Sequence, residues 1–257
     1  MIPNNKLVKT FFILLILLFL LSCSNNEEVK KENSSAIPNS LLSVSTISKN
    51  IIEKLEEIYF NKKEKQEQNS TKEGNSEAEK KTKDSKEKKE PQSMKEKEIW
   101  QDLKGKVEQL FQNWNRYESE HNLPQPQSQR IETQMNQIPP ILEKGQILTA
   151  LFKTNQLKLE FSKLYSQYYN KELIAVLEEI KVYMRRIVYF SQVKEDKIAE
   201  QQSSLDKLKT KIIELKNLKV KEDSKQKIKE LDHYVEDLEK LIKQNNKSVL
   251  KIKGDLI

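Results

Sequence analysis

From Ile99 onward, apolar residues return at steps of three and four, and this spacing constrains the fold more than any other feature. Ile99/Trp100, Leu103, Val107, Leu110/Phe111, Trp114 and Tyr117 trace one apolar face over about five helical turns. Trp100 and Trp114 lie on that stripe two heptads apart and read as core. His121–Arg130, with Pro124 and Pro126, reads as a loop, and Ile131–Ile138 as a short helical piece stopped by Pro139-Pro140. The next stripe carries Leu142, Leu148, Leu151/Phe152, Leu157, Phe161, Leu164/Tyr165 and Tyr168, with a break expected at Asn170. Leu173–Phe190 is apolar around most of its circumference and is expected to be the most buried helix. Two narrower stripes follow, Ile198–Leu215 and Ile228–Ile252. Only four glycines interrupt the chain, and short links between long amphipathic helices predict an all-α, antiparallel helical bundle over 99–257.

The segment before it is of another kind. Asn61–Glu98 holds twelve Lys and ten Asp or Glu, with only Ala78 and Met94 apolar. No face there buries enough surface to offset the ordering entropy, so 61–98 is expected to be a disordered charged linker. As a flexible coil it spans about 35 Å. Residues 41–60 carry Val44, Ile47, Ile51, Leu55 and Ile58 at helical spacing and predict an amphipathic helix, docked on the bundle in preference to isolated. Polar residues 23–40 read as a tether.

Residues 1–22 read as a lipoprotein signal peptide. Lys6 and Lys9 precede an unbroken run of eleven apolar residues, Phe11–Leu21, too short for a transmembrane helix, which needs roughly 20. The run ends Leu20-Leu21-Ser22-Cys23, a lipobox: aliphatic residue, tolerant position, small residue, cysteine. The expected modification is diacylglycerol on the Cys23 thiol and an acyl chain on its freed amine, which together anchor the chain stably. Cys23 is the only cysteine, so no intrachain disulfide is available. No other cofactor is expected.

Enzyme chemistry finds little to work with. There are two histidines, His121 in a loop with no partner in view and His233 one helical turn from Asp237, and no H-E-x-x-H, Gly-rich phosphate loop or G-x-S-x-G. A non-enzymatic binding protein without a small-molecule substrate is expected. The informative feature is charge placement: Lys207, Lys209, Lys211, Lys216, Lys219, Lys221, Lys225, Lys227 and Lys229 face only Glu214, Glu222 and Asp223 within 207–229. Around one hairpin tip they would offer phosphate, sulfate or carboxylate polymers a basic patch, which Arg185 and Arg186 join if folding brings them near. Lysine lacks the bidentate fork of Arg, so such binding is salt-sensitive and hardly sequence-selective. The competing reading of the lysines is a solvated helix face in a lysine-rich composition.

Lipobox, charged tether and a lysine-rich helical domain without further cysteine give this chain a layout that resembles the surface lipoproteins of Borrelia spirochaetes. The resemblance rests on Leu20-Leu21-Ser22-Cys23, the Ser24-Asn25-Asn26 start and the bundle from Ile99 to Ile252. It implies display on the outer membrane and a binding role towards complement regulators, matrix proteins or glycosaminoglycans. One paralogous group with this layout, family twelve, is associated with non-specific DNA binding. Three functions follow as expectations: binding DNA or glycosaminoglycan through the lysine cluster, binding a host protein through a helical face, or a structural role in the envelope.

Overall fold

The computed structural model describes residues 36–73, 92–168, 171–219 and 222–245. Cys23 with the signal and most of the tether, linker positions 74–91, Lys221 and 246–257 lie outside them. The helices are α1 (Asn39–Glu73), α2 (Gln92–Glu120), α3 (Gln125–Asn136), α4 (Ile138–Glu143), α5 (Ile147–Tyr165), α6 (Glu172–Gln192), α7 (Ile198–Asn217) and α8 (Glu222–Lys243). The protein is an all-α bundle. No helix among the described residues is long and apolar enough to cross a membrane.

Side-chain pairs give the helix directions. Ser40 donates to Glu120, which sets the start of α1 against the end of α2. Asn155 donates to the Val182 carbonyl and Lys158 to Glu178, so α5 and α6 are antiparallel. Lys211 pairs with Glu179 and Lys209 with Glu239, so α6 to α7 and α7 to α8 reverse again. Two apolar cores result. The first joins α1–α5 with Ala175, Val188 and Tyr189 of α6. The second joins α6, α7 and α8, with Leu159 reaching in from α5.

The bundle begins earlier in the chain than Ile99. Leu41, Val44, Ile51, Ile52, Leu55 and Ile58 are all buried, and α1 belongs to the same compact unit as the helices that follow. The helix predicted over 41–60 is therefore docked. It also continues to Glu73, and α2 starts at Gln92, so both ends of the expected linker are helical. Lys, Glu and Gln are good helix formers, and a helix already nucleated by packing propagates through them at little cost.

Prolines act here as helix starters: the piece before Pro139-Pro140 does stop, at Asn136, but a new helix opens at once, and Pro126 opens a helix where a loop was expected. Pro126 lies in the first turn of α3, so the loop shrinks to 121–124, and Pro139-Pro140 lie in the first turn of α4. Proline is tolerated there because the first N–H groups have no intrahelical acceptor to lose. The stripe read as continuous from Leu142 to Tyr168 is cut at Gly145, whose φ of +63° ends α4 and redirects the chain into α5.

The most buried helix is α5, in place of the expected α6. Twelve of its 19 residues are buried against twelve of 21 in α6. Five of those twelve are polar: Thr154, Asn155, Lys158, Glu160 and Ser162. Burial decided by position in the array overrides the hydropathy of the segment. Trp114 is core as expected, with its ring 5.9 Å from Phe161 and 5.7 Å from Tyr117. Trp100 is only half-buried at the rim of the first core.

Candidate functional site

The lysine-rich hairpin is α7–α8. Two ion pairs of 2.7 Å set its register, Lys209 to Glu239 and Lys216 to Asp232. Lys211 is tied to Glu179 on α6 and to Glu214 on its own helix, both at 2.7 Å. Burial works against its charge, but the two carboxylates outweigh that and push its pKa above the ordinary lysine range. Lys209 and Lys243 likewise hold the Glu239 carboxyl below the usual carboxylate range. Lys209, Lys211 and Lys216 therefore each have a carboxylate partner on the bundle, Lys211 in a largely buried pair and Lys209 and Lys216 at the surface.

The register sorts the remaining lysines. With Lys216 beside Asp232, Lys229 sits level with Lys219 and Lys225 lies further out, beyond the end of α7. Lys219, Lys225, Lys227 and Lys229 are all exposed. On α8, Lys227 and Lys229 flank Ile228, which packs on the second core, so they project to either side of the hairpin. Lys207 is exposed but stands about 15 Å of helix back from the tip, at a rise of about 1.5 Å per residue. Arg185 and Arg186 do not join the patch: Arg185 faces Glu56 on α1, and Arg186 donates to Gln156 on α5 and lies over the Phe190 ring. Of the nine lysines, the structure thus gathers four at the tip, spends three on internal ion pairs and separates one, while Lys221 is outside the described residues.

The histidines are surface and packing groups. His121 has partners that its loop position concealed: its Nδ1 is 2.9 Å from the Tyr117 carbonyl and its ring stacks on Tyr117 at 4.5 Å. The last turn of α2 supplies both, one turn back along the helix. Tyr117 in turn shares a 2.9 Å hydroxyl–hydroxyl hydrogen bond with Tyr168. His233 is exposed, with Nδ1 3.8 Å from Glu236. Among the described residues no group of three or more His, Cys, Asp or Glu is placed to hold a metal ion.

Two concavities were not foreseen. One, of about 640 Å³, is an apolar groove between α2 and α4, walled by Trp100, Leu103, Val107, Phe111, Pro139 and Leu142. The other, of about 420 Å³, lies between α1 and α6 over the middle of α5. Lys158 lies at its base, only 4% exposed, with Nζ 2.5 Å from Glu178 and 3.4 Å from the Ser45 hydroxyl. Glu178 also takes Lys181 at 2.8 Å. Burial pushes the Glu178 carboxyl up, but the two ammonium groups outweigh it and hold the pKa at about 2. Across the cavity, Glu56 accepts from the Tyr189 hydroxyl at 2.5 Å and faces Arg185 at 3.5 Å. Burial, with the Glu56 charge adding to it, keeps the Tyr189 phenol well above its ordinary pKa. A buried lysine is the signal that sequence reasoning missed, because on an amphipathic helix it counts as surface.

No family model, no curated protein and no solved structure matches this chain.

Proposed function

We propose that the chain is a lipid-anchored surface protein, without enzymatic activity, that binds a polyanion through the tip of the α7–α8 hairpin. The observation that carries this reading is the sorting of the lysine cluster: Lys219, Lys225, Lys227 and Lys229 stand exposed around the hairpin tip, on both of its sides, where a polyanionic chain can reach them. DNA and glycosaminoglycan are the two classes of polymer with the required charge density. The anchor rests on Leu20-Leu21-Ser22-Cys23. Cys23→Ser is expected to move the protein from the detergent phase to the aqueous phase of a Triton X-114 partition, and retention in detergent counts against lipidation.

The number of polymer contacts is itself testable. Each phosphate neutralised contributes about −0.9 to the slope of log K against log salt on duplex DNA. A four- or five-lysine tip predicts a slope of about −4, and engagement of all nine lysines predicts about −8. Titration of the chain from Ser24 with duplex DNA and heparin between about 50 and 200 mM salt reads this directly. Gln at 219, 225, 227 and 229 together should abolish binding and leave the melting temperature in place. No binding at low salt sinks the reading. The apolar groove beside Trp100 favours a second one, a protein partner, whose complex would persist across the same salt range.

A further inference from the structure

We propose that the cavity between α1 and α6 is a binding site for a small organic monocarboxylate, held by Arg185, Lys158 and Lys181 with its apolar body against Phe60, Met184 and Val188. This site is separate from the hairpin tip and does not rest on it.

Charge balance is the first argument. The cavity is lined by Lys49, Lys158, Lys181 and Arg185, against Glu53, Glu56 and Glu178. Lys49 and Glu53 are one turn apart at the mouth, 3.5 Å from each other and about half exposed, and cancel there. Leaving that pair aside, Lys158, Arg185 and, half exposed at the rim, Lys181 face Glu56 and Glu178, a surplus of one positive charge. Glu178 is shared by Lys158 and Lys181. Arg185 has Glu56 as its only ion-pair partner among the described residues, at a long 3.5 Å through Nε, and Glu56 is already engaged by Tyr189. A guanidinium so loosely held keeps a two-pronged donor edge suited to a carboxylate.

Burial, together with the nearby Arg185 and Lys181, lowers the Lys158 pKa despite its contact with Glu178. Glu178 is lowered as well, against its own burial. Burial is the larger cause for Lys158, and the charges of Arg185 and Lys181 add to it.

Size and wall chemistry choose the class. A volume of about 420 Å³ exceeds what a bare inorganic ion needs, and Phe60, Met184 and Val188 supply apolar wall beside the cations. One surplus charge matches a monocarboxylate, whereas a phosphomonoester near neutrality brings about −1.5 to −2. The ligand class is therefore a carboxylate on a short apolar body.

The test is the melting temperature of the chain from Ser24, with hexanoate, 1-hexanol and inorganic phosphate at fixed ionic strength. Hexanoate alone should raise it, by several degrees near saturation. Arg185→Gln, at a partly exposed position, should weaken hexanoate binding at least tenfold while keeping the apo melting temperature near the parent value. Lys181→Gln, half exposed, is a second variant expected to weaken binding should the first misfold. Gln at 219, 225, 227 and 229 should leave hexanoate binding unchanged. An equal effect of 1-hexanol, binding of phosphate without hexanoate, a hexanoate effect that survives both cavity variants, one lost in the tip variant, or no effect at all would each overturn the proposal.

Discussion

A chain cut back to Ile99 is expected to lose cooperative folding. The sequence invites that cut, since the charged stretch over 61–98 looks like a boundary between a tether and a domain. The packing forbids it. Helix α1 contributes Leu41, Val44, Ile51, Ile52, Leu55 and Ile58 to the first core, and three of its serines are buried beside them. Burying an aliphatic side chain contributes roughly 1.5–3 kcal/mol, so the six together contribute roughly 9–18 kcal/mol. Compact denatured states lower that figure by about a third. What remains is still comparable with the whole stability of a domain, about 5–15 kcal/mol. Removal also uncovers the faces of α2 and α5 on which α1 packs, and takes Ser45 and Glu56 from Lys158 and Tyr189. Far-UV circular dichroism of the fragment should show helix that melts over a broad range, with exposed apolar surface binding a hydrophobic dye. A chain starting at Ala36 should melt sharply. A sharp transition at an unchanged temperature in the fragment would show that α1 is dispensable.

The same helix shows what was legible. Apolar residues at three- and four-residue steps are recorded in one segment at a time, and every long helix of the bundle announced itself in that way. The all-α class followed from the stripes, whereas the stripe over 41–60 favoured docking and left an isolated helix open until the packing was seen. Properties that depend on two segments meeting did not follow. Lys209, Lys211 and Lys216 are indistinguishable in sequence from Lys227 and Lys229. Only the pairing of α7 with α8 and α6 shows which carboxylates the first three meet. Lys158 was hidden for the same reason, since its partner Glu178 is twenty residues away across a helix reversal. The prolines misled differently. Pro126 and Pro139-Pro140 mark discontinuities correctly, but a proline that ends one helix and a proline that opens the next leave the same trace. His121 looked solitary because it was read as the start of a loop, which hid that Tyr117, one helical turn back, offers it both a carbonyl and a ring.

The second large effect is asymmetric: Glu178→Gln should destabilise the protein far more than Lys158→Met. Removing one partner of a buried ion pair costs about 3–5 kcal/mol when it strands the other charge. Lys158 is 4% exposed, and Glu178 is the only acid it meets among the described residues. Gln at 178 strands it beside Arg185 and Lys181, which already work against its charge. Met at 158 strands nothing, because Glu178 is 17% exposed and keeps Lys181 at 2.8 Å. Methionine also fills a similar volume without a charge to desolvate. Urea unfolding at neutral pH should therefore separate the two variants, and the pair Lys158→Met with Glu178→Gln should recover much of what Glu178→Gln loses. Equal losses would mean that Lys158 contributes through packing and not through its charge.

Acid titration supplies the independent check. Glu178 titrates at about 2 in the folded protein, against about 4.5 for an ordinary glutamate. A carboxyl lowered on folding adds stability that is complete above the unfolded value and declines as pH falls from about 4.5 towards 2. That decline should be steep in the parent and shallower in Glu178→Gln, where no carboxyl remains to take up the proton. It should keep an intermediate slope in Lys158→Met, because Lys181 still holds the carboxylate. Identical acid limbs in all three proteins would place the acid sensitivity elsewhere in the fold and leave the Lys158–Glu178 contact without energetic weight.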